Sequence, residues 1–315
     1  MIAAAILAFA PSNHYLFLPD PARAVEPLVH IAGEKDRPGK GGIYMVDVVV
    51  RRASILERYF PGLHEGATLV PAEVLNPTGV SESERRKSSL NEMSNSQQIA
   101  AAVALRYLGY DVQATADGAE VDLVLAGAPA QGKLEPGDII TRVDDTTVKT
   151  PEDLRAAMDK VEPGETVSVT VKHSGGTRTL EIGTRADPET PGRAVVGIYV
   201  QLATNIKLPI SVKVDSGSIG GPSAGLAFAL DIVDEIGPRD IDRGKRIAVT
   251  GEINLAGQVG EIGGIKQKTI GAREAGADVF LVPVANAPSA RKYAEGLRIV
   301  AVSSLTQALR VLATL

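Results

Sequence analysis

Apolar and polar positions alternate in several distinct rhythms along this chain, and each rhythm predicts an element. The segment 41–51 (GGIYMVDVVVR) is rich in β-branched residues and predicts a strand. Residues 52–59 follow as a short helix. From Gly79 to Asn95 the chain is polar, with a charge cluster at 82–87, and reads as a solvated helix or loop. Ile99, Val103 and Leu105 amid alanines predict a helix over 94–107, with Ser94 or Asn95 as N-cap and Gly109 as its end. Residues 121–125 predict a strand, 134–140 a turn leading into another strand, and Thr150-Pro151 opens a helix with Thr150 as N-cap. The runs 166–172 and 177–182 alternate around Ser174-Gly175-Gly176, which marks a hairpin. Beyond the linker 187–192, strands are predicted at 195–200, 210–214, 246–250, 279–282 and 297–302. Helices are predicted at 223–236, 266–275 and 305–312; Leu226, Leu230 and Val233 set the period of the first. The whole reads as α+β and multidomain, with boundaries at 1–21, 22–105, 106–185 and 193–315.

The N-terminus breaks these rhythms. Residues 1–10 form an unbroken apolar run, too short for the roughly twenty residues a membrane span needs and without a basic leader. It is a buried core segment, a signal-like interfacial segment, or the outer half of a membrane anchor. Tyr15, Phe17 and the prolines at 11, 19 and 21 favour the anchor.

Composition narrows the chemistry. The chain has 315 residues, a net charge of −5 and no Cys. An acidic balance does not suit nucleic acid. Without cysteine there is no disulfide or thiolate nucleophile, and the 4 histidines form no metal-binding motif, so neither metal nor cofactor is expected.

Two glycine-rich turns carry the chemistry: Gly220-Gly221-Pro222-Ser223-Ala224-Gly225 and Gly263-Gly264-Ile265-Lys266. A serine hydroxyl needs a base, and a lysine of lowered pKa can be one. Ser223 is the expected nucleophile and Lys266 the expected base; Lys268, on another face of the same helix, is the rival base. Small residues at 220, 221, 224 and 225 let a substrate backbone come close to Ser223, and Gly221, Pro222 and Ala224 are expected to support the site. N–H groups at the helix start could stabilise an oxyanion, worth ~3–4 kcal/mol per donor. The GxSxG elbow of α/β-hydrolases requires a later histidine, and every histidine here precedes Ser223. The GDSGGP run of trypsin-like proteases would place Ile219 at the nucleophile, and there is no P-loop.

Residues 205–315 resemble the Lon proteolytic domain, through PSAG, TGEINLAGQV and IGGIKQK in order and at matching spacing. The resemblance implies a serine endopeptidase with a Ser–Lys dyad, and places Thr250 and Glu252 near it as supporting residues. Residue 220 is Gly where ATP-dependent relatives carry Asp, which implies different gating; no ATPase module precedes the domain, which implies ATP-independent activity. The stretch LEPGDIITRVDDTTVKT at 134–150 resembles a PDZ domain, which binds peptide ends by strand addition. Leu108, Gly109 and Tyr110 are candidates for its carboxylate loop, or equally a glycine-capped helix end. Together the two resemblances point to bacterial PDZ-containing Lon-like proteases. They imply protein or peptide substrates, a homo-oligomer, and a single-pass membrane protein whose catalytic part faces the extracytoplasmic side. The alternative is a tethered PDZ adaptor with a catalytically idle Lon fold.

Overall fold

The computed structural model describes residues 8–31, 41–75, 80–173, 176–238 and 240–315. The expected α+β character is present, and the chain divides into two compact units that do not follow its linear order. One comprises Met1–Leu75, Ser96–Val112 and Leu208–Leu315; the other comprises Asn76–Asn95 and Gln113–Lys207.

The first unit is built on a five-stranded sheet in the order Arg23–Ala24, Gly42–Met45, Arg246–Val249, Val279–Pro283, Arg298–Val302. Its last four strands are parallel, with Met45 opposite Val249 and Val249 opposite Leu281. Val279–Pro283 is buried at every position, as befits a central parallel strand covered on both faces. The Gly225–Ile236 helix is buried continuously from Gly225 to Val233, so it is a core helix rather than an amphipathic surface one. Leu305–Leu312 is amphipathic: Leu305, Ala308, Leu309 and Leu312 face inward, and Ser304 accepts from the Gln307 N–H as its cap.

A second, antiparallel sheet in this unit has the order Val48–Ser54, Pro11–Pro19, Thr68–Pro71. The strand expected over 41–51 is therefore two strands in two different sheets, with Val46 and Asp47 between them. Pro11–Pro19, expected at a membrane exit, is the central strand, with Tyr15 and Leu16 fully packed. Among the described residues no helix is long and apolar enough to cross a membrane. The expected single-pass membrane placement is corrected accordingly; residues 1–7 of the apolar run lie outside the described residues.

The antiparallel sheet packs on the Ile265–Glu274 helix. Gly271 makes this possible. A Cβ there would collide with the Asp20 carbonyl oxygen, and the Ala22 N–H donates to the Gly271 carbonyl at 3.3 Å. On the same helix Gln267 Nε2 donates to Gly66 O and Thr68 Oγ1, both at 2.8 Å. Arg273 pairs with Glu65 at 3.2 Å.

The second unit has a sheet in the order Gly176–Gly183, Thr166–His173, Ile139–Val143, Gln113–Val124, Ile198–Lys207. Alternate residues Val167, Val169 and Val171 are buried, the period-2 pattern of a half-covered strand. The hairpin pairs 166–173 with 176–183, while its tip at 174–175 lies outside the described residues. The Pro151–Met158 helix opens on a capping box: Thr150 accepts from the Asp153 N–H at 3.1 Å and Asp153 accepts from the Thr150 N–H at 3.1 Å. Helix 94–107 is longer than expected, spanning Glu82–Tyr107, and Gly79 lies outside the described residues. Its N-terminal box is made by Ser81 and Glu84. Asn95 sits within the helix and donates to the Leu202 carbonyl at 2.9 Å.

Gly271→Ala should therefore destabilise the first unit by about 1–3 kcal/mol, the usual range for forcing an atom into a filled core. Gly263→Ala, where a Cβ would meet nothing within 4 Å, should be near neutral. Urea unfolding of the two variants checks the contrast.

Candidate active site

Three segments of the first unit converge at Ser223. The first is the turn 220–224, which runs into the Gly225–Ile236 helix. The second is Thr250-Gly251, which follows strand Arg246–Val249 at its carboxyl end. They are laced together: Gly251 N–H donates to Ser223 O at 2.9 Å and Leu226 N–H to Gly251 O at 3.0 Å. The Thr250 hydroxyl also donates to Ser223 O, at 3.1 Å. From below, Ser96 donates to Pro222 O at 3.0 Å, and Gln97 donates to Ser216 at 2.8 Å. Gly221 has open space on the side a Cβ would occupy, and Ala224 is buried as N-cap of the helix.

The third segment is the Ile265–Glu274 helix, and here the sequence expectation needs correcting. Lys268, not Lys266, reaches the serine. Lys268 Nζ lies 2.5 Å from Ser223 Oγ and 3.2 Å from Thr250 Oγ1. Lys266 leaves the helix on another face: its Nζ donates to the Ala67 carbonyl at 3.0 Å and sits 5.7 Å from the centre of the Tyr293 ring. The reason is register. The helix begins at Ile265 with Gly264 as N-cap, so 268 lies one turn in, on the face of Gly264, Gly271 and Ala272 that packs against the core.

Burial follows from that face. Lys268 is 4% exposed and Thr250 0%. Burial pushes the Lys268 amine down to about 8, against a smaller opposing pull from the Asp47 carboxylate. Glu252, the other expected supporting residue, is exposed at the start of strand Glu252–Ile253, with its carboxylate beside Gly260.

Leu108, Gly109 and Tyr110 form a helix end. Their N–H groups donate to the carbonyls of Ala104, Arg106 and Leu105, with Gly109 at φ +88°, which is a glycine-capped helix terminus and leaves no N–H there for a peptide carboxylate. Apart from the Ser223 site, Asp234, Asp240 and Asp242 bring carboxylate oxygens within 4.8 Å of one another. Burial raises Asp242 to about 6, with the Gly244 N–H opposing it and Asp240 and Asp234 adding to it. These carboxylates accept backbone N–H groups of Ile241, Arg243 and Gly244, so they cap their own loop.

Because its folded pKa lies below the ordinary 10.5, charged Lys268 opposes folding. Below pH 8 both folded and unfolded chains hold the proton and the penalty is complete. As pH rises from about 8 toward 10.5, only the unfolded chain stays protonated and stability recovers. Lys268→Met should thus be more stable than the parent near neutrality, by roughly 2–3 kcal/mol, and lose that advantage above about pH 10. Denaturant unfolding across this range measures the difference.

Comparison with known proteins gives two domain matches. Residues 197–314 match the Lon protease (S16) C-terminal proteolytic domain, and residues 106–184 match the PDZ domain. The Lon protease of Roseiflexus castenholzii is 40% identical over 91 residues, 28% of this chain and 11% of that protein. Lon protease 1 of Bacillus subtilis is 31% identical over 147 residues, 43% of this chain and 19% of that protein. The chain thus spans less than a fifth of the length of these curated relatives. Among solved structures, the PDZ domain of an SdrC-like protein from Listeria monocytogenes is 29% identical, covering 27% of this chain and 90% of that one with a TM-score of 0.26. A Lon-type C-terminal proteolytic domain and a PDZ domain are both found within this chain.

Proposed function

We propose that the chain is a Lon-type serine peptidase in which Ser223 is the nucleophile and Lys268 the general base, acting without ATP. The observation that carries this reading is a buried amine 2.5 Å from a serine hydroxyl on a glycine-rich turn. Every other part of the site serves that approach. The Thr250 hydroxyl gives its own proton to Ser223 O, so its oxygen is open to an N–H of Lys268. That bond fixes the amine and turns its lone pair toward Ser223 Oγ. The chemistry is acyl transfer. Neutral Lys268 takes the hydroxyl proton as Ser223 Oγ attacks the peptide carbonyl carbon. The ammonium so formed returns the proton to the leaving amine. Water, deprotonated by the same amine, then cleaves the acyl-enzyme ester and restores Ser223. An amine near 8 suits this cycle, since a useful fraction is neutral at physiological pH and its conjugate acid is still strong enough to protonate the leaving group.

The second unit is read as the peptide-binding part. The Ile198–Lys207 strand ends its sheet, and the Pro151–Met158 helix packs beside it. An extended peptide adding to that strand would bond its open backbone groups, Leu202 O apart, since that carbonyl already accepts from Asn95. Substrates would be proteins or peptides with an exposed end.

Ser223→Ala and Lys268→Ala should each lower peptide hydrolysis on the order of 10³-fold or more and abolish labelling by a serine-reactive fluorophosphonate. Lys266→Ala should remain within about tenfold of the parent, because its amine contacts the 64–68 segment and not the serine. If instead Lys266→Ala is the inactive variant and Lys268→Ala turns over normally, the assignment of the base is wrong. Separately, fluorescence anisotropy should show peptides with a free carboxylate binding the chain, and backbone amide shifts on binding should fall in 198–207.

A further inference from the structure

The face of the helix that carries Lys268 is approached at one end by the Val48 side chain and at the other by the Asp20 backbone, and Asp47 is the residue before Val48. Gly264, Lys268 and Gly271 share one face, being four and three residues apart. At one end of that face, a Cβ on Gly264 would come within 2.8 Å of Val48 Cγ2. Gly271, at the other end, carries the backbone of Asp20, whose carbonyl fills the space a side chain would need. Asp47 directly precedes Val48 and lies two residues after Met45, which is opposite Val249 in the parallel sheet. The next residue on that neighbouring strand is Thr250, which touches Lys268 Nζ at 3.2 Å. Register and helix periodicity therefore bracket Asp47 and Asp20 over Lys268 from two directions.

The carboxylates are held there by one cation. Arg23 Nη2 pairs with Asp20 and lies 3.9 Å from Asp47 Oδ2. Asp47 Oδ1, in contrast, is buried with no hydrogen-bond partner among the described residues. A buried carboxylate oxygen left open is costly unless a positive charge lies close by. Of the other charged groups on this helix, Lys266 and Arg273 are turned elsewhere and Glu274 is exposed. Lys266 points to Ala67 O, Arg273 pairs with Glu65 and Glu295, and Glu252 is exposed at its strand end.

We propose that Asp47 is a positioning residue of this site: its carboxylate, seated over the Lys268 face of the helix, holds the ammonium form of that amine and so sets the pH at which the base becomes available. The inference rests on the Ser223–Lys268 reading. The opposing pulls on Lys268 agree with it, since burial favours the neutral amine and Asp47 the charged one. Asp20 and Arg23 modulate the effect, because Asp20 crowds Asp47 with a like charge and Arg23 offsets both.

The test is the pH profile of kcat/KM for peptide hydrolysis. Asp47→Asn should move the acid limb to lower pH by about one unit, as expected on removing an opposite charge at close range. Asp47→Glu should keep the limb near its parent position. Arg23→Gln, which leaves the two carboxylates unopposed, should move it to higher pH. An acid limb that stays in place in folded Asp47→Asn overturns the proposal. Should that variant be inactive or unfolded, an unmoved limb in Arg23→Gln overturns it equally. A second readout does not need turnover. In a Ser223→Ala chain, the pH dependence of Lys268 acylation by acetic anhydride, followed by mass spectrometry, should shift downward on adding Asp47→Asn. The two levels of the reading separate cleanly. Full activity in Lys268→Ala removes the dyad itself, whereas an essential Lys268 with an unmoved limb removes only the role of Asp47.

Discussion

Bringing a lysine amine out of water and against a serine hydroxyl is the constraint around which the first unit is organised. An ammonium ion in an apolar interior is strongly disfavoured, and relief comes from shedding its proton. That is the state a general base requires. The same burial that makes Lys268 a burden to the fold makes it useful beside Ser223. The site therefore depends on exclusion of water more than on any single hydrogen bond, and exclusion depends on how closely other segments can approach the helix at 265–274.

Close approach explains why the N-terminal segment and the C-terminal segment form one unit. Residues 208–315 supply Ser223, Thr250 and the helix. They do not by themselves cover the Lys268 face. The cover comes from strands Pro11–Pro19, Val48–Ser54 and Thr68–Pro71, which reach the helix through Asp20 at Gly271, Val48 at Gly264 and the 65–68 segment at Gln267 and Arg273. Glycines at 264 and 271 let backbone and side chain come within a few ångströms of the helix axis, where larger residues would hold them off. The Ser223 turn is braced by Ser96 of the long helix, and the segment before it by Gln97.

Much of this was legible from local pattern. Helices at 225–236 and 305–312, strands at 246–249 and 279–283, the Thr150 cap and the 166–183 hairpin all have strong periodicity or cap chemistry, and local signals suffice for them. Long-range pairing was not legible. Nothing in GGIYMVDVVVR says that it crosses from one sheet to another at Asp47, because both halves carry the same β-branched signal. The prolines and aromatics of 11–19 look like a membrane exit in isolation. In the fold Tyr15 is a core residue of a central strand and Phe17 is half-buried beside it, while the prolines sit at the strand's ends, where a missing N–H does least harm. Gly109 illustrates the same ambiguity: a glycine between bulky residues serves a peptide loop or a helix cap, and only the partners of its N–H decide.

The choice between two lysines turns on a signal that was present and outweighed. Adjacency to Gly263-Gly264 drew attention to Lys266, as did the apolar residues around it. Helical spacing carries more information. From 268, steps of three, four and seven reach Gly271, Ala272 and Ala275, a stripe of small residues that marks the face pressed against other backbone. From 266 the same steps reach Thr269 and Ile270, which are buried but too bulky to let another backbone approach closely, and Arg273, which pairs with Glu65 and Glu295 at the surface. A base must lie on the face that is most tightly covered, since only there is its charge disfavoured enough to be given up. The stripe of small residues identifies that face before any coordinate does. By this criterion the lysine that reaches the serine is the one whose helical neighbours are too small to keep the rest of the protein away.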